Sequence, residues 1–551
     1  MIIMKNKRLL KILTLGITSI FLGGVALNVS AASSKEPLKL SRDEAVTLAV
    51  KNSNDIKRVD TGVNTIARKF KDAQDLSDKV KKLEDKFEDY KEAWKKINSP
   101  EFKAAKAKLE GAIKAVEGYS KSDEVLKDLN AKLNALNKIP EDKLTPEIKE
   151  QKNQIIAGIK KAEGTKKYIE SQLKQGNMTI NDAKAKYPEF KKKYEELQAK
   201  LSEFEAGKKT LIELSEPGTS LEYPLVDIKT GEPLNLSQEE EYYDFKRPQE
   251  IYYAVQVLLE KAVKQKELVK SIAGVQVNEA YTKILYGEDG YGVKNKLYGR
   301  IQKGYNDVTK SYDIGTSSKL QKDLRKIALD QMKLDVDSLK RTVDSGKIQF
   351  KSSLGVELTS DIELKDKIDK TIKEPKGFQE YLNDAFKNRY EIFSAQRDLE
   401  EYNRRFETIK DYFLDDDYEW INVEKQIDET KLALSDAKRD VKRDIEHKYL
   451  EVKQKRNEIE MNKKKLEKAQ IQLDAANKAY EIGVKAIGLT WDAELAVAKA
   501  QMDYDVSIRD YKIAFYKLEK ASGIGIDMKN VKAFQIEVAE KIKEIKGGDD
   551  F

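Results

Sequence analysis

Cysteine is absent from the 551 residues, histidine occurs once (His447), and proline occupies ten positions. Without cysteine there are no disulfides, no thiol nucleophile and no lipid attachment at a processed N-terminal cysteine. Without a histidine cluster as well, Cys-His hydrolases and multi-histidine zinc centres are excluded. Aromatic residues make up 8% of the chain and charged residues 36%, a balance that excludes a large mixed core and favours long helices with solvated faces. The sparse proline leaves such helices uninterrupted. Charge of one sign is also scarce. The net +7 includes Lys5, Lys7, Arg8 and Lys11, which leaves +3 for the rest, and a near-neutral chain with interspersed signs is not a nucleic-acid binder by charge.

The cluster Lys5 to Lys11, the apolar run Ile12 to Leu27 and the small residues Val29-Ser30-Ala31 form the three parts of a secretory signal peptide. Residues 1–31 are expected to be removed, so the protein is exported and its mature chain begins near Ala32. Beyond this run no stretch is apolar enough to cross a bilayer as a helix, so the mature chain is not expected to be membrane-spanning.

What is present is helical periodicity. Ile445, Val452, Ile459, Leu466, Leu473 and Tyr480 recur every seventh residue, with Ala469 and Ala476 at the second seam position, the stripe of a coiled coil. A turn follows near Gly483 and Gly488, and Ala498, Tyr504, Tyr511, Ala514, Leu518 and Ala521 carry a second helix back to Gly523. Upstream, Ser41 and Glu44 form a capping box that opens a helix running toward Phe70. Leu76, Val80, Leu83, Phe87, Tyr90, Trp94 and Ile97 then set out another coiled-coil arm, ended by Pro100. Helical pieces follow, punctuated by Pro140, Pro146, Gly176 and Pro188. The segment Leu225 to Leu236 is the one β signal, a hairpin turning at Thr230-Gly231. Between Phe378 and Ile482 the expected break is the acidic Asp415 to Trp420.

The hairpin is duplicated. Tyr312-x-x-Gly315 with a closing Gly355 matches Tyr480-x-x-Gly483 with a closing Gly523, at an offset of 168 residues, from Gly355 to Gly523. The leading helix repeats as well, since Ala49-Val50-Lys51-Asn52 with Ile56 matches Ala385-Phe386-Lys387-Asn388 with Ile392. The first half therefore holds an inserted stretch at about 75–245.

A tandem repeat of leading helix, outgoing arm, tip turn and returning arm resembles the TolC family of outer-membrane efflux proteins. Leu40-Ser41-x-x-Glu44-Ala45-Val46-x-Leu48-Ala49-Val50-x-Asn52 is similar to that family's N-terminal signature. Lys478-Ala479-Tyr480-x-x-Gly483, followed by Ala498, Ala500, Asp510-Tyr511, Ala514, Leu518 and Ala521-x-Gly523, is similar to its C-terminal half. The resemblance covers 38–74 and 248–525. It implies a homo-oligomer, in that family a trimer, forming a helical conduit whose hairpin tips meet a membrane-fusion adaptor or inner-membrane pump. The tip residues are Asp313, Ile314, Gly315 and Thr316 in one hairpin and Gly483, Lys485 and Gly488 in the other. The resemblance also implies an acidic constriction behind the tip, where Asp492 stands. Its second position is Leu489, so a double acidic ring is not implied. The family's barrel strands have no counterpart here, and a lone hairpin cannot span a membrane.

The expected fold is mainly α: long antiparallel helical hairpins in two TolC-like repeats, with an inserted helical coiled-coil region and at most one small β-hairpin. Its parts are a leading helix at 38–74, an insertion at 75–247 containing the hairpin at 225–236, a first hairpin at 248–358, a second repeat at 376–525 and a tail at 526–551. The expected function is an efflux or secretion component of the cell envelope, in the wall zone or periplasm. The alternative is a structural coiled-coil scaffold that kept the fold and lost transport. No enzyme activity, cofactor or metal site is expected. His447 reads as a solvated helix residue, Asp415 to Asp417 as a solvated loop, and Phe87, Tyr90 and Trp94 as core. Gly287, Gly290 and Gly292 read as a kink or loop in the outgoing arm.

Overall fold

A computed structural model describes residues 37–214, 223–482 and 488–527, together with 529, 531 and 538. The signal segment and most of the tail lie outside the described residues. The chain is mainly helical. In order it forms β1 (Leu38–Leu40), α1 (Arg42–Asn52), α2 (Asn54–Asn98), α3 (Pro100–Asn137), α4 (Pro146–Gln175) and α5 (Ile180–Leu214). These are followed by α6 (Arg247–Asp313), α7 (Lys319–Leu354), β2 (Ile362–Leu364), α8 (Phe378–Asn388), α9 (Tyr390–Ile409), α10 (Tyr418–Glu481) and α11 (Gly488–Ser522). Two compact units are present, one formed by Asp78–Phe245 and the other by the residues up to Ser77 with those from Lys246 onward.

In the first unit α3 packs against α4 and α5, around Val116, Leu173 and Ala183. Phe87 and Tyr90 are buried. Tyr90 stacks on Phe204 with ring centroids 4.9 Å apart, and its hydroxyl donates to the Gly231 carbonyl at 2.6 Å. The aromatic stripe is therefore interior packing. The segment 225–236 forms a single antiparallel bridge, Val226 with Pro233. Its turn is an Asx turn in which Asp227 Oδ1 accepts from the backbone N–H groups of Lys229 and Thr230, and Gly231 supplies the positive φ of 73°. Pro233 has no N–H to donate, which halts the ladder after one bridge.

The second unit is built twice over. In the first repeat α1 lies against the pair α6 and α7, and in the second α8 lies against the pair α10 and α11. Counterpart positions are buried alike: Ala49 and Ala385, Ile56 and Ile392, Val277 and Ile445, Ile284 and Val452, Phe350 and Leu518. The seam residues Ile445, Val452 and Ile459 are fully buried, each worth about 1.5–3 kcal/mol relative to exposure. Toward the tip the seam opens, and Tyr480 is 45% exposed. The helix pairs are long. At 67 residues, α6 extends about 100 Å at ~1.5 Å per residue.

Three expectations are corrected. The leading helix is not continuous, because it breaks at Ser53 in the first repeat and at Arg389 in the second, both in extended backbone. The physical cause is that each break serves the C-terminus of the returning arm. Asn52 Nδ2 donates to the Leu354 carbonyl at 2.9 Å, and Arg389 Nη1 donates to the Ala521 carbonyl at 3.0 Å. The glycine cluster produces no kink, since α6 runs unbroken through Gly287, Gly290 and Gly292. A Cβ on Gly287 would stand 3.0 Å from Val343 Cγ2, so that glycine admits the returning arm α7 rather than ending the helix. Finally, a two-stranded parallel sheet pairs Leu38–Leu40 with Ile362–Leu364, a contact across more than 300 residues that three-residue strands do not announce.

Candidate functional site at the hairpin tips

The first tip is a closed turn. Behind Asp313, Ile314 N–H donates to Lys310 O, Gly315 N–H to Tyr312 O, and Thr316 N–H to Ser311 O at 2.8 Å. Gly315 takes a φ of 77°, the left-handed backbone that an L side chain rarely adopts. Ser318 then opens α7 with a capping box to Gln321. The turn thus meets its own backbone requirements, and the side chains of Asp313, Ile314 and Thr316 point to solvent, with Ile314 76% exposed. Of the second tip, Gly483 and Lys485 lie outside the described residues, and Gly488 is the first residue of α11.

Behind the tips the two hairpins are clasped. Trp491, in the first turn of α11, packs onto Gly304 of α6, where a Cβ would fall 3.1 Å from the indole. The Arg325 guanidinium of α7 lies 4.8 Å above the Trp491 ring and donates to Asp492 Oδ1 at 3.2 Å. Arg300 reaches Glu494 at 3.5 Å. Deeper in, Leu297, Met332 and Val336 form a small core joined by Leu495 and Ala498. Asp492 is therefore engaged by the neighbouring hairpin while its side chain stays 65% exposed. An ion pair this wet contributes about 0–1 kcal/mol. The indole packed on glycine, where water is excluded, stabilises the clasp more than that pair does.

One feature at this end lies beyond the tip residues named from sequence. On α7, Leu320, Ile327, Leu334 and Ile348 stand in one heptad register and are all exposed, with Leu324 beside them 56% exposed. The same helix buries Leu329, Met332, Val336, Phe350 and Leu354 on its other face. It is apolar on two faces, and only one is covered by the described residues. The signal was available as a seven-residue spacing in the first returning arm, masked by the stronger stripe of the second hairpin. His447 is exposed mid-helix and Asp415 is exposed in its loop. Among the described residues no group of three or more acidic or histidine side chains converges to hold a metal ion, and no helix is long and apolar enough to cross a membrane.

No protein-family model and no curated protein matches the chain. Solved structures similar to it include outer-membrane proteins and channels. VceC of Vibrio cholerae is 12% identical at a TM-score of 0.42, over 51% of this chain and 77% of that one. The open-state MtrE channel of Neisseria gonorrhoeae is 15% identical at 0.41, over 51% and 73%. CmeC of Campylobacter jejuni is 13% identical at 0.41, over 55% and 71%.

Proposed function

We propose that the protein is an exported, self-associating helical conduit of the TolC type, acting in efflux or secretion across the cell envelope. The observation that carries this reading is the uncovered stripe on α7. Leu320, Ile327, Leu334 and Ile348 are between 51% and 68% exposed, and apolar surface left in water costs about 25 cal/mol per Å². Heptad register on a helix already packed on its opposite face fits a second copy of the same hairpin pair. Repeated around an axis, such a contact closes a ring of long hairpins, and the duplicated architecture supplies two hairpins per chain to that ring. Asp313, Ile314 and Thr316 would then face an adaptor or pump at the ring's rim. No catalytic step is assigned to the chain.

Native mass spectrometry or light scattering of the chain from Ala32 onward tests the reading. The expected result is a closed oligomer, reduced to monomer by Leu320→Glu with Leu334→Glu, which lie on exposed positions and leave the helix content unchanged. A monomer at high concentration for the unaltered chain would overturn it.

A further inference from the structure

Along the contact between α6 and α9 three cations are matched with carboxylates, while Lys264 lies over the Phe393 ring at 5.4 Å. The wholly buried Lys261 donates to both oxygens of Asp398 at 2.8 Å, Arg397 meets Glu260 at 2.7 Å, and Arg405 meets Glu250 at 3.4 Å. Buried or half-buried charges are ordinarily paired in this way. At the outer end of the contact the matching stops. Arg247, the first residue of α6, and Arg404, on the exposed side of α9, form no ion pair with any described residue. The Arg404 guanidinium is instead held 4.2 Å above the Tyr253 ring, a stacked arrangement that fixes its plane and leaves its N–H edge free to donate.

Both arginines line a cleft open to solvent, together with Lys246, Arg405, Glu250 and Glu401. Four cations against two carboxylates leave a formal +2. Ile251, Tyr253 and Ala254 add an apolar wall. A monocarboxylate would leave one of these charges uncompensated, whereas a phosphate monoester carries close to two negative charges at neutral pH and offers oxygens that match guanidinium forks. We propose that this cleft binds a phosphomonoester with a small apolar or aromatic body, its phosphate held by Arg247 and Arg404 and its body laid against Tyr253.

The test is calorimetric titration of the whole mature protein with phenyl phosphate, inorganic phosphate, benzoate and vesicles containing phosphatidic acid. Phenyl phosphate is expected to saturate one site per chain, with inorganic phosphate weaker and benzoate at least about tenfold weaker. Arg247→Gln and Arg404→Gln are each expected to weaken binding about tenfold or more, the scale of a lost hydrogen bond to a charged group. The exposed Lys463→Gln, on α10, is expected to leave binding unchanged. The urea midpoint of each variant checks that the fold is intact. If phosphatidic-acid vesicles also bind with the same dependence on both arginines, the phosphate belongs to a lipid; if phenyl phosphate alone binds, it belongs to a soluble compound. Absence of binding to both, benzoate binding as tightly as phenyl phosphate, or binding indifferent to both substitutions would overturn the assignment.

Discussion

Replacing Arg389 should be the costliest single polar substitution in the second repeat. Its side chain is 3% exposed and sits where α8 hands over to α9. Nη1 donates to Asp444 Oδ2 at 2.8 Å and to the Ala521 carbonyl at 3.0 Å, and Nε donates to Glu391 at 3.0 Å. Arg389→Met keeps the bulk of the stem and removes the charge. It strands the carboxylates of Glu391 and Asp444, 17% and 31% exposed, and leaves the Ala521 carbonyl at the end of α11 without its charged donor. Breaking a buried pair from one side costs about 3–5 kcal/mol. Asp444 keeps Lys448 as a partner and is partly wet, which lowers the expectation to about 2–4 kcal/mol. The counterpart joint offers an internal scale. Asn52 makes one neutral hydrogen bond to Leu354 O, so Asn52→Ala should cost about 1 kcal/mol. Urea unfolding at constant slope measures both. Adding Glu391→Gln and Asp444→Asn to Arg389→Met should restore more than half of the loss, because the stranded charges are then gone. A cost for Arg389→Met no larger than that of Asn52→Ala, or no recovery in the triple variant, would refute the reasoning.

Other expectations follow from the same structure. Gly304→Val forces a branched side chain toward the Trp491 ring and should cost about 1–3 kcal/mol, with a red shift of Trp491 emission when Trp94 and Trp420 are replaced by phenylalanine. Asp492→Asn, which removes the 65% exposed partner of an ion pair, should change the unfolding free energy by less than about 0.5 kcal/mol. Glu44 is held down to about 2, first by the Ser41 backbone N–H and then by Lys365. Its folded value is depressed, so its contribution is complete above the ordinary glutamate value and is lost as pH falls from there toward 2. Glu44→Gln should flatten stability against pH over that window, and an unchanged slope would contradict it.

The parts of the fold that the sequence made legible are those in which local pattern and tertiary packing agree. Ile445, Val452 and Ile459 stand out as a seven-residue period against a charged background, and they are fully buried. Ser41 and Glu44 lie three residues apart at a helix start, and both capping hydrogen bonds form. The break at Arg389 was hidden because arginine is a good helix former and no glycine or proline marks it. What holds it open is the carbonyl of Ala521, 132 residues away. Glycine misled in the opposite sense. At Gly287 it reads as a helix breaker, and its missing Cβ is used instead to bring Val343 close. The α7 stripe was hidden for a different reason. Period alone says that a face is apolar, not which molecule covers it, and α7 has two such faces.

The second repeat also indicates what the first requires between its arms. There α9 ends at Ile409 and α10 begins at Tyr418, and the connection is a short turn in which Leu414 N–H donates to Asp417 Oδ2 at 2.7 Å. The buried contacts that hold the second repeat lie on α8, α9, α10 and α11, joined by Tyr286 of α6, and none comes from this loop. The matching contacts of the first repeat lie on α1, α6 and α7, through Ala49, Tyr281, Phe350 and Leu354, and none involves residues 78–245. Joining Ser77 to Lys246 through a copy of Lys410–Asp417 should therefore leave α1, α6 and α7 packed as before. The shortened chain is expected to form the same oligomer as the whole mature chain by native mass spectrometry, since the stripe on α7 is untouched. Loss of the oligomer with helix packing preserved, read from near-ultraviolet circular dichroism, would move the self-association from the repeated hairpins to residues 78–245.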